Sequence, residues 1–206
     1  AFQAMVETLV GTEELIYALC DFPETVDALW EAMVDKNLQA ARIAAESRFE
    51  FFLTWEDSST QNYSPAQYSR YIAPEISQWC EILAHNSKKY IQHACGHLKA
   101  LLPIMREEGI VGVESLSPSP TGNVTLAEAR SLLGSELAII GGIEPTRFLT
   151  LQGNKLAEYV EKTIEEGLGG PFILANSDSC PPGVTVEKFK LVADIARSVK
   201  NPRFRP

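Results

Sequence analysis

What this sequence lacks narrows it first. No apolar run approaches the ~20 residues that a membrane-spanning helix needs, and no basic-then-apolar leader stands at its start. Positive charge is scarce: 18 Lys and Arg against 27 Asp and Glu leave a net charge of −9. A phosphate backbone needs a basic face, so nucleic acid is excluded as a main partner. Cysteine is sparse, at positions 20, 80, 95 and 180. That is too few for a disulfide scaffold, and a cytoplasmic chain with reduced thiols is expected. Gly-x-Gly-x-x-Gly follows no predicted strand, so the dinucleotide fingerprint is missing.

What remains is a chain of 206 residues, 45% of them hydrophobic, enough for one domain over 1–206 with a sizeable core. Pro23 opens a long helix whose stripe is Val26, Leu29, Trp30, Met33, Val34, Leu38 and Ala41. Short apolar runs at 49–55, 89–93, 110–116, 137–141 and 171–176 predict five strands, expected to be buried on both faces. Helices are predicted between them. Leu98, Leu101, Leu102 and Met105 mark one, Leu156, Tyr159, Val160 and Ile164 another, and Phe189, Val192, Ala193 and Ala196 the last. Thr125 with Glu128 is a capping-box signature. Cys20 and Cys80 fall among apolar neighbours and are expected in the core. Residues 200–206 are expected to fray.

Alternating strands and helices give an α/β fold with a parallel sheet. It closes either as a doubly wound sheet or as a (β/α)8 TIM-barrel-like fold. A barrel has eight strands in ~250 residues, and five are seen. The expectation is that the chain covers about the C-terminal two-thirds of a barrel, as a fragment of a longer product or as a homodimer in which a partner copy caps the edge.

In both closures the reactive residues belong at the carboxyl ends of the strands. Glu56 and Asp57 end the first, His93 and Cys95 the second, Glu114 the third, Gly141, Gly142 and Glu144 the fourth, Asp178 and Cys180 the fifth. Residues i and i+2 of an extended segment point the same way, so His93 and Cys95 can offer nitrogen and sulfur to one ion. Those are zinc ligands, and a catalytic zinc with three protein ligands keeps one position open. Cys180 is the chemically better third ligand, with Asp178 as the alternative. Glu114 and Asp57 are the candidate catalytic carboxylates, Glu114 also being placed to fill the open position while substrate is absent. His97 is expected to make a polar contact at a helix start, His85 to cap a helix end, and Tyr63, Tyr68 and Tyr71 to pack.

His93-Ala94-Cys95-Gly96, Gly141-Gly142-Ile143-Glu144-Pro145, Gly170-Pro171-Phe172-Ile173-Leu174 and Pro182-Gly183-Val184-Thr185, with Trp55-Glu56-Asp57 and Ser64-Pro65 upstream, resemble the uroporphyrinogen decarboxylase superfamily. The resemblance covers most of the chain and implies a (β/α)8 barrel. Its decarboxylase branch is cofactor-free, acts on a porphyrinogen, and uses an arginine-rich N-terminal segment and a histidine in the last strand's loop. This sequence shows neither. Its cobalamin-dependent methyltransferase branch carries His-x-Cys and a distant Cys as zinc ligands, which His93, Cys95 and Cys180 match. Counting back from Pro182, the family's third ligand falls on Asp178. The resemblance thus implies zinc-dependent methyl transfer between a corrinoid (methylcobalamin) protein and a thiol or folate acceptor, with tetrapyrrole decarboxylation as the alternative. Gly141 and Gly142 would let a phosphate or a flat corrin edge approach the backbone, or would make a tight strand-to-helix turn.

Overall fold

Five parallel strands follow one another across a single sheet in chain order. A computed structural model describes residues 1–199; the tail at 200–206 lies outside the described residues. β1 (Phe51–Trp55), β2 (Lys89–His93), β3 (Gly112–Leu116), β4 (Ala138–Ile143) and β5 (Phe172–Asn176) each pair with the next. A doubly wound sheet reverses its order at a switch point, whereas a barrel does not. The unbroken order is therefore TIM-barrel-like, and the α/β class with five βα units is the one observed.

The helices form where apolar spacing and caps dictate. α1 (Phe2–Ala4) runs into a π-helical stretch, Met5–Leu9, followed by α2 (Thr12–Asp21). α3 (Pro23–Glu46) has Pro23 in its first turn, where the missing N–H costs nothing. It buries Val26, Val34, Leu38, Ala41 and Ala45, whereas Leu29 is exposed. α4 (Pro65–Gln67) starts on a Ser64–Gln67 capping box, continues as π-helical Tyr68–Ile72, and restarts at Pro74 in α5 (Ala73–His85). α6 (Leu102–Met105) is followed by α7 (Leu126–Leu133), whose Thr125–Glu128 capping box forms as expected, then α8 (Pro145–Thr150), α9 (Gly153–Gly167) and α10 (Val186–Ser198).

The structure corrects four further expectations. Leu98, Leu101, Leu102 and Met105 are buried, but only Leu102–Met105 is helical. Pro103 has no N–H to give to the preceding turn, so it stands in the first turn of the helix and Leu98–Leu101 remain in hydrogen-bonded turns. Cys20 is exposed, because α2 buries only Leu15. In α10 the buried residue is Ile195, packed with Leu191, Val192 and Val199; Ala196 is exposed, and Phe189, though exposed, sets its ring edge-on against buried Phe148.

The fourth concerns the sheet. Register pairs Trp55 with His93 and His93 with Glu114, and side chains alternate. Phe51, Leu53, Trp55, Ile91, His93, Glu114 and Ile173 thus share one face, and Phe52, Thr54, Tyr90, Gln92 and Val113 the other. Right-handed crossovers between sequential parallel strands place every helix on one side. The helix-covered face is buried, with Tyr90, Val113 and Ile139 at 3%, 0% and 0% exposure. The opposite face is open among the described residues, with Phe51 at 55%, Trp55 at 76% and Ile173 at 57%. The strands are buried on one face, not two.

Candidate metal centre

The site is built by two loops sewn together at the carboxyl ends of β1 and β2. After His93 the chain stays extended, and the Ala94 amide donates to the Glu114 carbonyl at 2.9 Å. Gly96 then turns at φ 73, and a side chain there would meet Ser59 Oγ at 2.8 Å. Across this contact the His97 amide donates to Ser59 Oγ at 3.1 Å, and the Thr60 amide to the His97 carbonyl at 3.0 Å. These bonds hold the loop after β1 against the loop after β2, and so carry Asp57 to His93 and Cys95.

The metal-capable atoms of Asp57, His93 and Cys95 lie within 4.8 Å of one another. His93 Nε2 is 3.2 Å from Asp57 Oδ1, and Cys95 Sγ is 3.8 Å from the same oxygen. The other ring nitrogen, Nδ1, is 2.5 Å from Glu114 Oε2. Trp55 closes the imidazole from the open face, ring centroids 4.7 Å apart at 54°.

Electrostatics in the group are one-sided. Burial pulls the His93 pKa down, but the hydrogen bond and charge of Glu114, with Asp57 and Asp178, outweigh it and raise it above 6.5. Cys95 is pushed up to about 12 by burial first, then by Asp178, Asp57 and Glu114. The neighbouring Glu56 is raised to about 7, chiefly by burial and in part by Glu75 and Asp57. The charges that act most strongly on His93 and Cys95 are all carboxylates. Such a setting keeps a thiol protonated and favours a cation. Imidazole, thiolate and carboxylate suit zinc, and three protein donors leave one tetrahedral position free.

The expected site residues divide. The structure brings His93 and Cys95 together, with Asp57 beside them. Glu114 sits on the far edge of the imidazole, at Nδ1. Asp178 turns with φ 63, its Oδ1 taking the Ser179 amide at 2.7 Å, and its charge reaches both His93 and Cys95. Cys180 is exposed, with Sγ 3.9 Å from the Pro181 carbonyl, and lies outside the group. Gly141 and Gly142 belong to β4 itself, and protein atoms crowd both: Leu116 O is 2.6 Å from a Cβ at 141, and Thr163 Cγ2 is 2.9 Å from one at 142. Glu144 caps α8, accepting from the Thr146 and Arg147 amides at 3.0 and 2.7 Å. His85 Nδ1 meets the Glu81 carbonyl at 2.7 Å, and Tyr63, Tyr68 and Tyr71 are core residues.

Sequence reasoning assigned no role to Trp55 or Ser177. The signal for Trp55 is its register opposite His93, which no linear pattern carries. Ser177 Oγ accepts from the Gly142 amide at 2.9 Å and donates to the Leu116 carbonyl at 2.6 Å.

Comparison with known proteins agrees with this architecture. A solved methyltransferase from Methanosarcina mazei superposes with a TM-score of 0.75 at 14% identity, over 92% of this chain and 54% of that one. A uroporphyrinogen decarboxylase from Trichlorobacter lovleyi is 25% identical over 178 residues, 84% of this chain and 48% of that protein. The chain thus spans about half the length of the relatives it matches. The family model "Uroporphyrinogen decarboxylase (URO-D)" matches residues 2–199, and the chain belongs to that family.

Proposed function

We propose that this chain carries a zinc centre for methyl transfer between a corrinoid (methylcobalamin) protein and a thiol or folate acceptor. The observation behind the proposal is the convergence of Asp57, His93 and Cys95 within 4.8 Å at the carboxyl ends of two adjacent strands. Glu114 accepts a hydrogen bond from the His93 Nδ1–H, which fixes the tautomer and leaves Nε2 facing the centre. Asp57 supplies the charged oxygen and Cys95 the sulfur. Zinc held there would lower the pKa of a thiol at its free position, making a thiolate nucleophile near neutral pH. Trp55, on the open face, lies against the imidazole and shields that side of it from water.

Metal analysis of the purified protein tests this. Close to one zinc per chain is expected, with loss on Asp57→Ala, His93→Ala or Cys95→Ala and retention on Cys180→Ala. Zinc-loaded protein should also speed demethylation of methylcobalamin by a thiol, followed by absorbance. The second reading, metal-free decarboxylation of a tetrapyrrole carboxylate, is favoured by the name of the Trichlorobacter relative. Protein that holds no zinc but binds a porphyrin would select it.

A further inference from the structure

Directly behind the candidate centre, on the helix-covered side of β2, lies a second polar cluster. Gln92 precedes His93 and points the opposite way. Its side chain is fully buried, and Nε2 donates to the Tyr68 hydroxyl at 2.9 Å and to Ser58 Oγ at 3.3 Å. Tyr68 and Ser58 are themselves 0% exposed. Beside Tyr68 stands Glu108, 4% exposed. The Tyr68 hydroxyl is near enough to act on that carboxyl but does not reach hydrogen-bond geometry. Among the described residues, Glu108 Oε1, Glu108 Oε2 and Gln92 Oε1 have no hydrogen-bond partner.

Three buried acceptors without a donor are costly, since a desolvated polar group unmatched by the protein loses its hydration for nothing. The groups that act on Glu108 are the Tyr68 hydroxyl and the Glu56 carboxyl, and Glu108 acts in turn on the Cys80 thiol; none carries positive charge. The donor set is oxygen only, which selects a hard cation. Glu108 brings the one formal charge of the oxygen set itself, which a single positive charge neutralises, while the Glu56 carboxyl adds negative potential from outside the set. We propose that Glu108, Gln92 Oε1 and the Tyr68 hydroxyl form a structural site for one monovalent cation. The site draws together the Tyr68 helix, β2 and the segment after α6, and braces the strand that carries His93.

Thermal melting of the chain tests this at pH 8.5, with chelator present so that the Asp57–His93–Cys95 group does not contribute. Chloride salts of sodium, potassium, ammonium and choline are compared at equal ionic strength. One of the three small cations should raise the midpoint over choline by about 5 °C, saturably in the millimolar range. Glu108→Gln should abolish the difference, and Tyr68→Phe should move the half-saturating concentration several-fold upward. Identical midpoints in all four salts, meaning that a proton or a water completes the cluster, would overturn the proposal. So would a cation response that survives Glu108→Gln. Should Glu108→Gln fail to fold, an unmoved half-saturation in Tyr68→Phe decides against it.

Discussion

Glu114 meets Nδ1 of His93 at 2.5 Å while Asp57 stands 3.2 Å from Nε2 of the same ring. With the proton on Nδ1, a neutral imidazole would point a lone pair at the Asp57 carboxylate. The pair is at rest only with a second ring proton or with a cation between them. Glu114 therefore sets how well the ring can serve a metal. Glu114→Gln should weaken zinc binding by about 10–100-fold while leaving stoichiometry near one, as loss of such an outer carboxylate does elsewhere. Competition against a chromophoric chelator measures it. Equal affinity in variant and parent would mean that Glu114 does not orient the ligand.

The thiol of Cys95 gives a second prediction. Burial and three carboxylates push its pKa up to about 12 in the metal-free protein, so thiolate is negligible at pH 8. Exposed Cys20 and Cys180 should alkylate with iodoacetamide at pH 8, and Cys95 should stay unmodified until the chain unfolds. Peptide mass spectrometry reads this directly. Alkylation of Cys95 as fast as Cys180 would show that the carboxylates do not govern it.

Much of this site is legible in sequence because strand ends are. Alternation puts His93 and Cys95 on one side, and the barrel rule puts Asp57 on the same rim. The third donor is another matter. Sulfur chemistry favours Cys180, but the turn at Asp178 keeps that thiol at the surface, and a positive φ on a non-glycine residue leaves no mark in a linear pattern. Asp57 wins through the Ser59–His97 and Thr60–His97 bonds, which are contacts between loops 37 and 38 residues apart. Burial misled for a related reason. Phe51, Leu53 and Trp55 look like core by composition, yet composition does not say on which side of the sheet the helices fall.

Glu108 makes stability depend on pH. Burial is the main cause of its rise from 4.5 to about 8, with Tyr68 opposing and Glu56 adding to it. A carboxyl raised in the folded state binds its proton more tightly there than in the unfolded chain. Its stabilising share is full below about pH 4.5 and is lost as pH rises through about 8. With choline as the buffer cation, urea unfolding should show stability falling from pH 5 to 8. Glu108→Gln should flatten that fall and be the more stable protein at pH 8, by on the order of 2 kcal/mol. A parent curve as flat as the variant's would show that the carboxyl is solvated.

Gly141 tests whether the glycine pair serves the sheet. It pairs with Leu116 where the β3–β4 register shifts, at φ 138, and an added Cβ would stand 2.6 Å from the Leu116 carbonyl and 3.0 Å from Ser177 Oγ. Both are backbone-anchored: Ser177 Oγ already holds the Leu116 carbonyl and the Gly142 amide, so neither can yield without parting β3 from β4. Gly141→Ala should cost about 3 kcal/mol or more in urea unfolding, through overlap and backbone strain together. Gly153 is the control. It also has positive φ, at 52, but nothing lies within 4 Å of its added Cβ, so Gly153→Ala should cost about 1 kcal/mol, the left-handed penalty alone. Equal losses at the two positions would remove the packing role. A Gly141→Ala protein of parental stability that no longer accepts methylcobalamin would instead place the ligand against this strand.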